Sequence, residues 1–337
     1  MADLLPHSHA LTFCGVLSES RRIINAHSRH FLALSVFFLL PLSFSLIIYP
    51  TLHSALCRPD SISFYASRFL QSDPPRTRPD PDGDSPVFFI LPLVYALLGF
   101  LVHLFAVTAI SYSTFHGFYG RPVKLVSSFK SLLFSFLPMI STFLVSKLVL
   151  FSIAFLFSLL WLSALKGLEL AGIEVDYDSN YFYAVAIVSA ALVGAVMLWL
   201  QVTWVLAPVT VVVESRWGFG PLMRSANLVK GMKGVALSLL LFFNLAIWFL
   251  VGSCATILLH VGVARGSWGW AVILQVVISA GLATVLMLQG IAATVVLFMY
   301  CKAFHGELPF EIAEEFAGDY VSLPFDEKKL PYVVYVT

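Results

Sequence analysis

Five polar side chains stand inside otherwise apolar stretches of the chain, each in a different stretch: His103, Lys147, Gln201, Asn244 and Gln289. Polar groups within a bilayer are costly, and they commonly mark a ligand site or an ion or proton path. Counted along each helix at about 1.5 Å per residue, all five lie roughly 13–18 Å from one membrane boundary. This polar layer predicts either hydrogen bonds between helices or a polar cavity for a solute or lipid headgroup.

Lys147 is the most costly member of the layer, because a lysine at mid-span costs about 2.5–3.5 kcal/mol on insertion scales. The side chain must reach the interface, pair with an acid or lose its proton. No Asp or Glu lies at a matching depth, and Glu214 is the nearest partner that the sequence offers. Because no acid inside a helix could pair with His103, we expect no enzyme active site.

The sequence contains no pattern that predicts a metal, a cofactor or a nucleic acid partner. Its net charge is +1, and its four cysteines form no CxxC pair (Cys14, Cys57, Cys254, Cys301). His116 and His305 occupy similar junctions, but two histidines without an acid or a cysteine make a poor metal site. Cys14 and Cys301, near the predicted cytosolic face, are either palmitoylated or free thiols.

The elements that would position these residues are transmembrane helices. The chain is 59% hydrophobic and only 12% charged, and its apolar runs are long enough to cross a bilayer. We predict an all-α polytopic membrane protein with six transmembrane helices, arranged as three hairpins with interfacial amphipathic helices. The predicted helices are 31–52, 87–112, 132–163, 181–213, 234–260 and 271–300.

The predicted organisation has three parts. Residues 1–30 form a cytosolic segment with an amphipathic helix, residues 31–300 form the transmembrane domain, and residues 301–337 form a cytosolic tail. Within the domain, residues 53–85 form a long non-cytosolic loop whose Pro-rich and Asp-rich second half predicts irregular structure. Trp199, Trp204, Trp217, Trp268 and Trp270 fit an aromatic belt.

Basic residues in the short connections set the predicted orientation. They lie on the side that holds both termini, so the positive-inside rule places both termini in the cytosol. The same residues either set topology alone or also contact anionic lipid headgroups. They are Arg21, Arg22, Arg29, Arg121, Lys124, Lys130, Arg224, Lys230 and Lys233.

A weak internal repeat links these segments. A Gly/Pro turn, a basic amphipathic stretch and a helical pair begin at Gly15, Gly120 and Gly220. Aligning GVLSESRRII with GPLMRSANLV places Ser20 on Ser225. Such repeats occur in membrane proteins that move solutes, and they also build inert scaffolds.

The junction WGFGPLMRSANLVKGMKG follows a helix that ends near Pro208 and Val209. The pattern of Gly220, Leu222, Arg224, Ser225, Leu228, Val229, Lys230 and Gly231 resembles a family of plant six-helix membrane proteins without an assigned activity. More distantly, it is similar to the membrane domain beside bacterial glycerophosphodiester phosphodiesterases. Those enzymes carry catalysis on a separate soluble barrel, for which this chain has no room, so the resemblance implies a fold without that activity.

The sequence therefore predicts a non-enzymatic, multi-pass integral membrane protein of the endomembrane system or plasma membrane. It would organise membrane lipids or partner proteins. The alternative is a transporter or channel for a small solute or lipid, using the polar layer around Lys147.

Overall fold

The computed structural model describes residues 12–56, 87–120, 125–172, 179–258 and 269–307. Within these ranges the chain forms helices and short turns, with no strand. The helices are α1 (Phe13–Ala26), α2 (Ser28–Leu34), a π-helical turn (Ser35–Leu39), α3 (Leu40–Leu56), α4 (Val87–Phe118), α5 (Leu125–Leu170), α6 (Asn180–Thr203), α7 (Ala207–Glu214), α8 (Gly220–Leu228), α9 (Lys233–Leu258) and α10 (Trp270–Phe304).

Six of the described stretches are long and apolar enough to cross a membrane, which confirms the predicted number and the all-α class. They are Ser28–His53, Ile90–Phe118, Lys130–Leu170, Asn180–Glu214, Lys233–Leu258 and Trp270–Phe304. Most of the predicted 53–85 loop, most of the tail, Trp268, and the basic residues Arg121 and Lys124 lie outside the described residues.

The first and last spans form the centre of the molecule. In their most apolar windows, 44% and 39% of the residues are buried, against 0% in the third span and 6% in the fourth. Helix α10 packs against α1, α3, α4 and α9, whereas α6 has few neighbours and scarcely touches α5. The outer helices α5 and α6 therefore expose apolar side chains, as lipid-facing helices do.

Two predicted helix boundaries were wrong. The basic segment before the third span is continuous with it from Leu125, so it forms no separate amphipathic helix. Helix α4 runs on to Phe118 and includes His116, six residues beyond the predicted end. The helix continues through Gly117 and ends just before Gly120, whose φ of 68° is the left-handed conformation that commonly follows a helix C-terminus.

The first span contains a distortion next to Pro41. Proline lacks the N–H that would bond to the carbonyl four residues earlier, and its ring clashes with that carbonyl. The chain widens into a π-helical turn over Ser35–Leu39, and the Leu40 amide donates instead to the Ser35 carbonyl, five residues back. Such π-bulges are frequently found at functional sites.

The fourth span is broken, although the sequence predicted one helix over 181–213. The break lies at Trp204–Leu206, ahead of Pro208. The buried Ser225 hydroxyl of α8 bridges it, donating to the Thr203 carbonyl at 2.7 Å and accepting from the Leu206 amide at 3.2 Å. One side chain thus satisfies two buried backbone groups that the break leaves without a partner in their own helix.

Ser225→Ala should destabilise the protein by roughly 1–3 kcal/mol, because it leaves the Leu206 amide and the Thr203 carbonyl unpaired in a buried site. The measurement is the thermal midpoint of purified protein in detergent. Ser238→Ala is the matched control, since among the described residues the Ser238 hydroxyl bonds only to the Val235 carbonyl of its own helix. Equal midpoints for the two variants would contradict this role.

Candidate functional site

Four of the five residues of the predicted polar layer line one cavity of about 370 Å³. His103 comes from α4, Lys147 from α5, Gln201 from α6 and Asn244 from α9. All four side chains remain exposed, so the cavity is open to the outside of the molecule. We call it the polar cavity.

The broken fourth span forms one wall of the polar cavity. Trp204 and Val205 of the break and Ala207 and Pro208 of α7 line it, together with Leu222 of α8. In membrane proteins that bind solutes, discontinuous helices commonly build the binding site near the middle of the bilayer. Pro208 therefore affects the site twice, by breaking the helix and by lining the space that results.

A second cavity, of about 250 Å³, adjoins the first. The two share His103, Val107, Val205, Pro208, Leu240 and Asn244 as lining residues. The other walls of this apolar cavity are mainly Leu, Ile, Val, Met and Phe side chains, including Leu39 of the π-helical turn. Ser111 also lines it, and its fully buried hydroxyl has no hydrogen-bond partner within the described part of the chain.

The polar groups of the cavity keep much of their hydrogen-bonding capacity. Asn244 donates one bond to the Leu240 carbonyl of its own helix at 2.8 Å. The Lys147 ammonium lies 5.0 Å from the centre of the Phe143 ring. Among the described residues, His103 and Gln201 have no hydrogen-bond partner. The cavity thus presents a cation, an imidazole and two amides to whatever occupies it.

Gln289 was predicted in the same layer but lies elsewhere. Its side-chain amide donates to the Ser20 hydroxyl at 2.7 Å and to the Leu17 carbonyl at 3.2 Å, which fixes α1 against α10. Depth along a helix can be counted from sequence, whereas the direction in which a side chain points around the bundle cannot. For Gln289, the hydrogen-bonding alternative is the correct one.

Glu214 was the suggested partner of Lys147, and this was wrong. Its carboxylate lies 3.3 Å from the Arg224 guanidinium, 3.4 Å from that of Arg216 and 3.4 Å from the Lys302 ammonium. Arg224 also binds Glu307 through both terminal nitrogens. We call these five residues the ion cluster; it joins α7, α8 and the end of α10.

The ion cluster shifts the pKa of two of its members. The hydrogen bond from Arg224 lowers the pKa of Glu307 below its usual 4.5, and partial burial opposes this only in part. The same bond raises the pKa of Arg224. Both groups therefore stay charged at neutral pH and hold the helix ends together.

The basic residues proposed as headgroup contacts divide into two groups. Arg21, Arg22, Arg29, Lys130, Lys230 and Lys233 are exposed. The prediction that Arg224 contacts a lipid headgroup was wrong, because the carboxylates of Glu214 and Glu307 already bind its guanidinium. Helix α1 buries Val16, Ser20 and Ile23 against the protein, so only its basic face is available to headgroups.

The predictions for cysteine and histidine are partly resolved. Cys301 is fully buried beside Met232, which makes it a free thiol that palmitoylation cannot reach, while Cys14 is exposed. His116 and His305 each bond to a carbonyl of their own helix. No group of three or more potential metal ligands occurs among the described residues.

Sequence reasoning missed Ser111, Lys302 and Glu307. A serine in an apolar helix gives almost no signal in hydropathy, so the unpaired Ser111 hydroxyl could not be singled out. Lys302 and Glu307 follow the last apolar run, where charged residues are ordinary. Only their proximity to Glu214 and Arg224 makes them part of the ion cluster.

The described part of the chain has six stretches that can span a membrane, and several of them line a cavity. This arrangement is typical of a multi-pass helical membrane protein. The chain belongs to a family defined by a domain of unknown function, DUF8558, whose model matches residues 7–330. No curated protein and no solved structure matches the chain at a significant level.

Glu214→Gln should destabilise the protein by roughly 1–3 kcal/mol, because it removes the carboxylate that faces three cations, of which Lys302 is 6% exposed. The test is thermal unfolding in detergent. Glu169→Gln is the control, since its partner Lys166 is 68% exposed and such surface pairs contribute at most about 1 kcal/mol. A midpoint for Glu214→Gln no lower than that of the control would contradict this account.

Glu307 should also make stability depend on pH. Its pKa is lowered on folding, so its contribution is present above the unfolded value near 4.5 and is lost as pH falls through the folded value. The difference in midpoint between wild type and Glu307→Gln should therefore be largest near neutral pH and shrink below pH 4.5. A difference that stays constant from pH 7 to 3 would show that Glu307 does not act through its charge.

Proposed function

We propose that this protein is a non-enzymatic integral membrane protein that holds a membrane lipid in the two adjoining cavities. The observation that carries the proposal is the convergence of His103, Lys147, Gln201 and Asn244 on one open space beside an apolar one. A lipid has the same division into a polar headgroup and an apolar chain. The headgroup would lie in the polar cavity and part of a chain in the apolar cavity.

The size and position of the cavities support a lipid ligand. Pockets for small molecules are commonly about 300–1,000 Å³, mostly apolar, with a few polar groups that fix orientation. The polar cavity is flanked by α5 and α6, the two helices with the least buried spans. A molecule dissolved in the membrane could therefore enter sideways, without crossing the packed centre around α10.

Other features of the proposal concern the arrangement in the membrane. We propose that both termini are cytosolic, which the distribution of basic residues supports, and that the membrane is one of the endomembrane system or the plasma membrane. The exposed basic faces of α1 and α8–α9 would contact anionic headgroups at about 1 kcal/mol per charge. The three-hairpin arrangement, the binding of partner proteins and the resemblance to plant six-helix membrane proteins stay predictions.

Transport of a lipid or small solute is the second candidate, and the broken fourth span favours it. A helix break beside a binding site is common in transporters, where one part of the helix bundle rocks against another around that site. Movement of a fluorescent lipid between leaflets of proteoliposomes would separate the two functions. Flux that disappears when the cavities are filled would favour transport, and binding without flux would favour a lipid-holding role.

Val107→Trp should block lipid binding, because Val107 lines both cavities and an indole would fill the space between them. We expect the lipid that remains after purification and detergent washing, measured by mass spectrometry, to fall at least about tenfold. Leu240→Trp, which fills the same space from α9, should act alike.

The control for this experiment is Val196→Trp. Val196 lies on α6, is 49% exposed and lines neither cavity. The thermal midpoint of each variant confirms that it folds. Lipid retention by both cavity variants equal to that of wild type and the control would disprove the proposed function.

A further inference from the structure

We propose that the ligand of the two cavities carries an acidic group, a phosphate or carboxylate at the head of a membrane lipid, which pairs with the Lys147 ammonium. This inference rests on the proposed function and adds the chemical class of the ligand. Four observations support it: the pairing of the acids, the position of Lys147, the neighbouring donors and the sign of charge in the cavity.

Every carboxylate side chain in the described ranges is already paired with a cation other than Lys147. Those ranges contain Glu19, Glu169, Glu214 and Glu307. Glu19 pairs with Arg22, Glu169 with Lys166, and the other two belong to the ion cluster. No described acid is therefore left to neutralise Lys147.

Lys147 lies far along α5 from the other charged residues of that helix. It lies about 17 residues after Lys130 and about 19 before Lys166, which corresponds to roughly 25 and 28 Å of helix. A lysine side chain spans only a fraction of that distance. The polar cavity, which Lys147 lines, is therefore the space from which a counter-charge can approach the ammonium.

The groups around Lys147 suit an acidic ligand. Gln201 and Asn244 each carry an amide that can donate, and the imidazole of His103 can donate from one ring nitrogen. None of the described residues that line either cavity is acidic, so none of them repels a negative charge. A phosphate or carboxylate accepts several hydrogen bonds at once, and bonds to a charged acceptor are the strong ones.

The experiment uses the full chain, delipidated in a neutral detergent, and two pairs of probes that differ mainly in head charge. One pair is oleate and methyl oleate, and the other is dioleoyl phosphatidic acid and dioleoyl phosphatidylcholine. For wild type, the acidic member of at least one pair should raise the thermal midpoint at a concentration at least about tenfold lower than its neutral partner. Inorganic phosphate alone should give no comparable shift.

The variants are Lys147→Gln, which removes the charge, and Lys147→Arg, which retains it. Lys147→Gln should bind both members of the pair with the weaker, neutral affinity, and Lys147→Arg should keep the preference. The control is Lys166→Gln on the same helix, because Lys166 is exposed and paired with Glu169. It should behave as wild type does.

Three results would overturn the inference, and they are distinguishable. Equal binding of acidic and neutral probes by wild type and Lys147→Gln would show that the ligand needs no acidic group, and would leave the proposed lipid binding intact. A midpoint shift with inorganic phosphate as large as that with phosphatidic acid would show that the site binds a free anion and not a lipid. If no lipid probe binds and no lipid is retained on purification, the proposed function itself is disproved.

Discussion

The candidate site depends on two backbone groups that the fourth span leaves unpaired. Inside a bilayer a broken helix is tolerated only where other groups satisfy its freed N–H and C=O. Pro208 makes the break, and the Ser225 hydroxyl supplies both bonds. Because α8 provides that hydroxyl and also Leu222 of the polar cavity, the short amphipathic helix is part of the wall. Without α8, the Thr203 carbonyl and the Leu206 amide would lose their hydrogen-bond partner, and the polar cavity would lose part of its wall.

The charged residues at one end of the molecule are paired with opposite charges, whereas the lysine in the middle has no described acid beside it. At the ends of α7 and α10, Glu214 and Glu307 face three cations, so charge is used to join helices. In the middle, Lys147 faces amides, an imidazole and an aromatic ring. The acids that would neutralise it are engaged elsewhere in the described part of the chain. A protein needing Lys147 only for packing could carry leucine there at lower cost.

Hydropathy and depth were enough to predict the six spans and to single out four residues of the polar cavity. Both follow from properties that add along a helix, namely apolar length and rise per residue. Gln289 and Glu214 were misjudged because their partners depend on rotation about a helix axis and on chain segments far away in sequence. The break before Pro208 was missed because a proline in a spanning helix can be absorbed, as at Pro138 of α5, or can end the helix. Which occurs depends on a partner such as Ser225.

The aligned segments GVLSESRRII and GPLMRSANLV share a serine that has a similar structural role in each. Ser20 and Ser225 are both fully buried, and each hydroxyl links its amphipathic helix to a spanning helix. The Ser20 hydroxyl accepts a hydrogen bond from the Gln289 side chain of the continuous helix α10, whereas the Ser225 hydroxyl bonds to backbone groups at the break between α6 and α7. The same position in two similar segments thus supports an intact span in one case and a broken span in the other. The broken span lines the polar cavity, whereas the intact α10 lines only the apolar one. This indicates that the opening of the fourth span, more than the amphipathic helix itself, creates the polar part of the binding region.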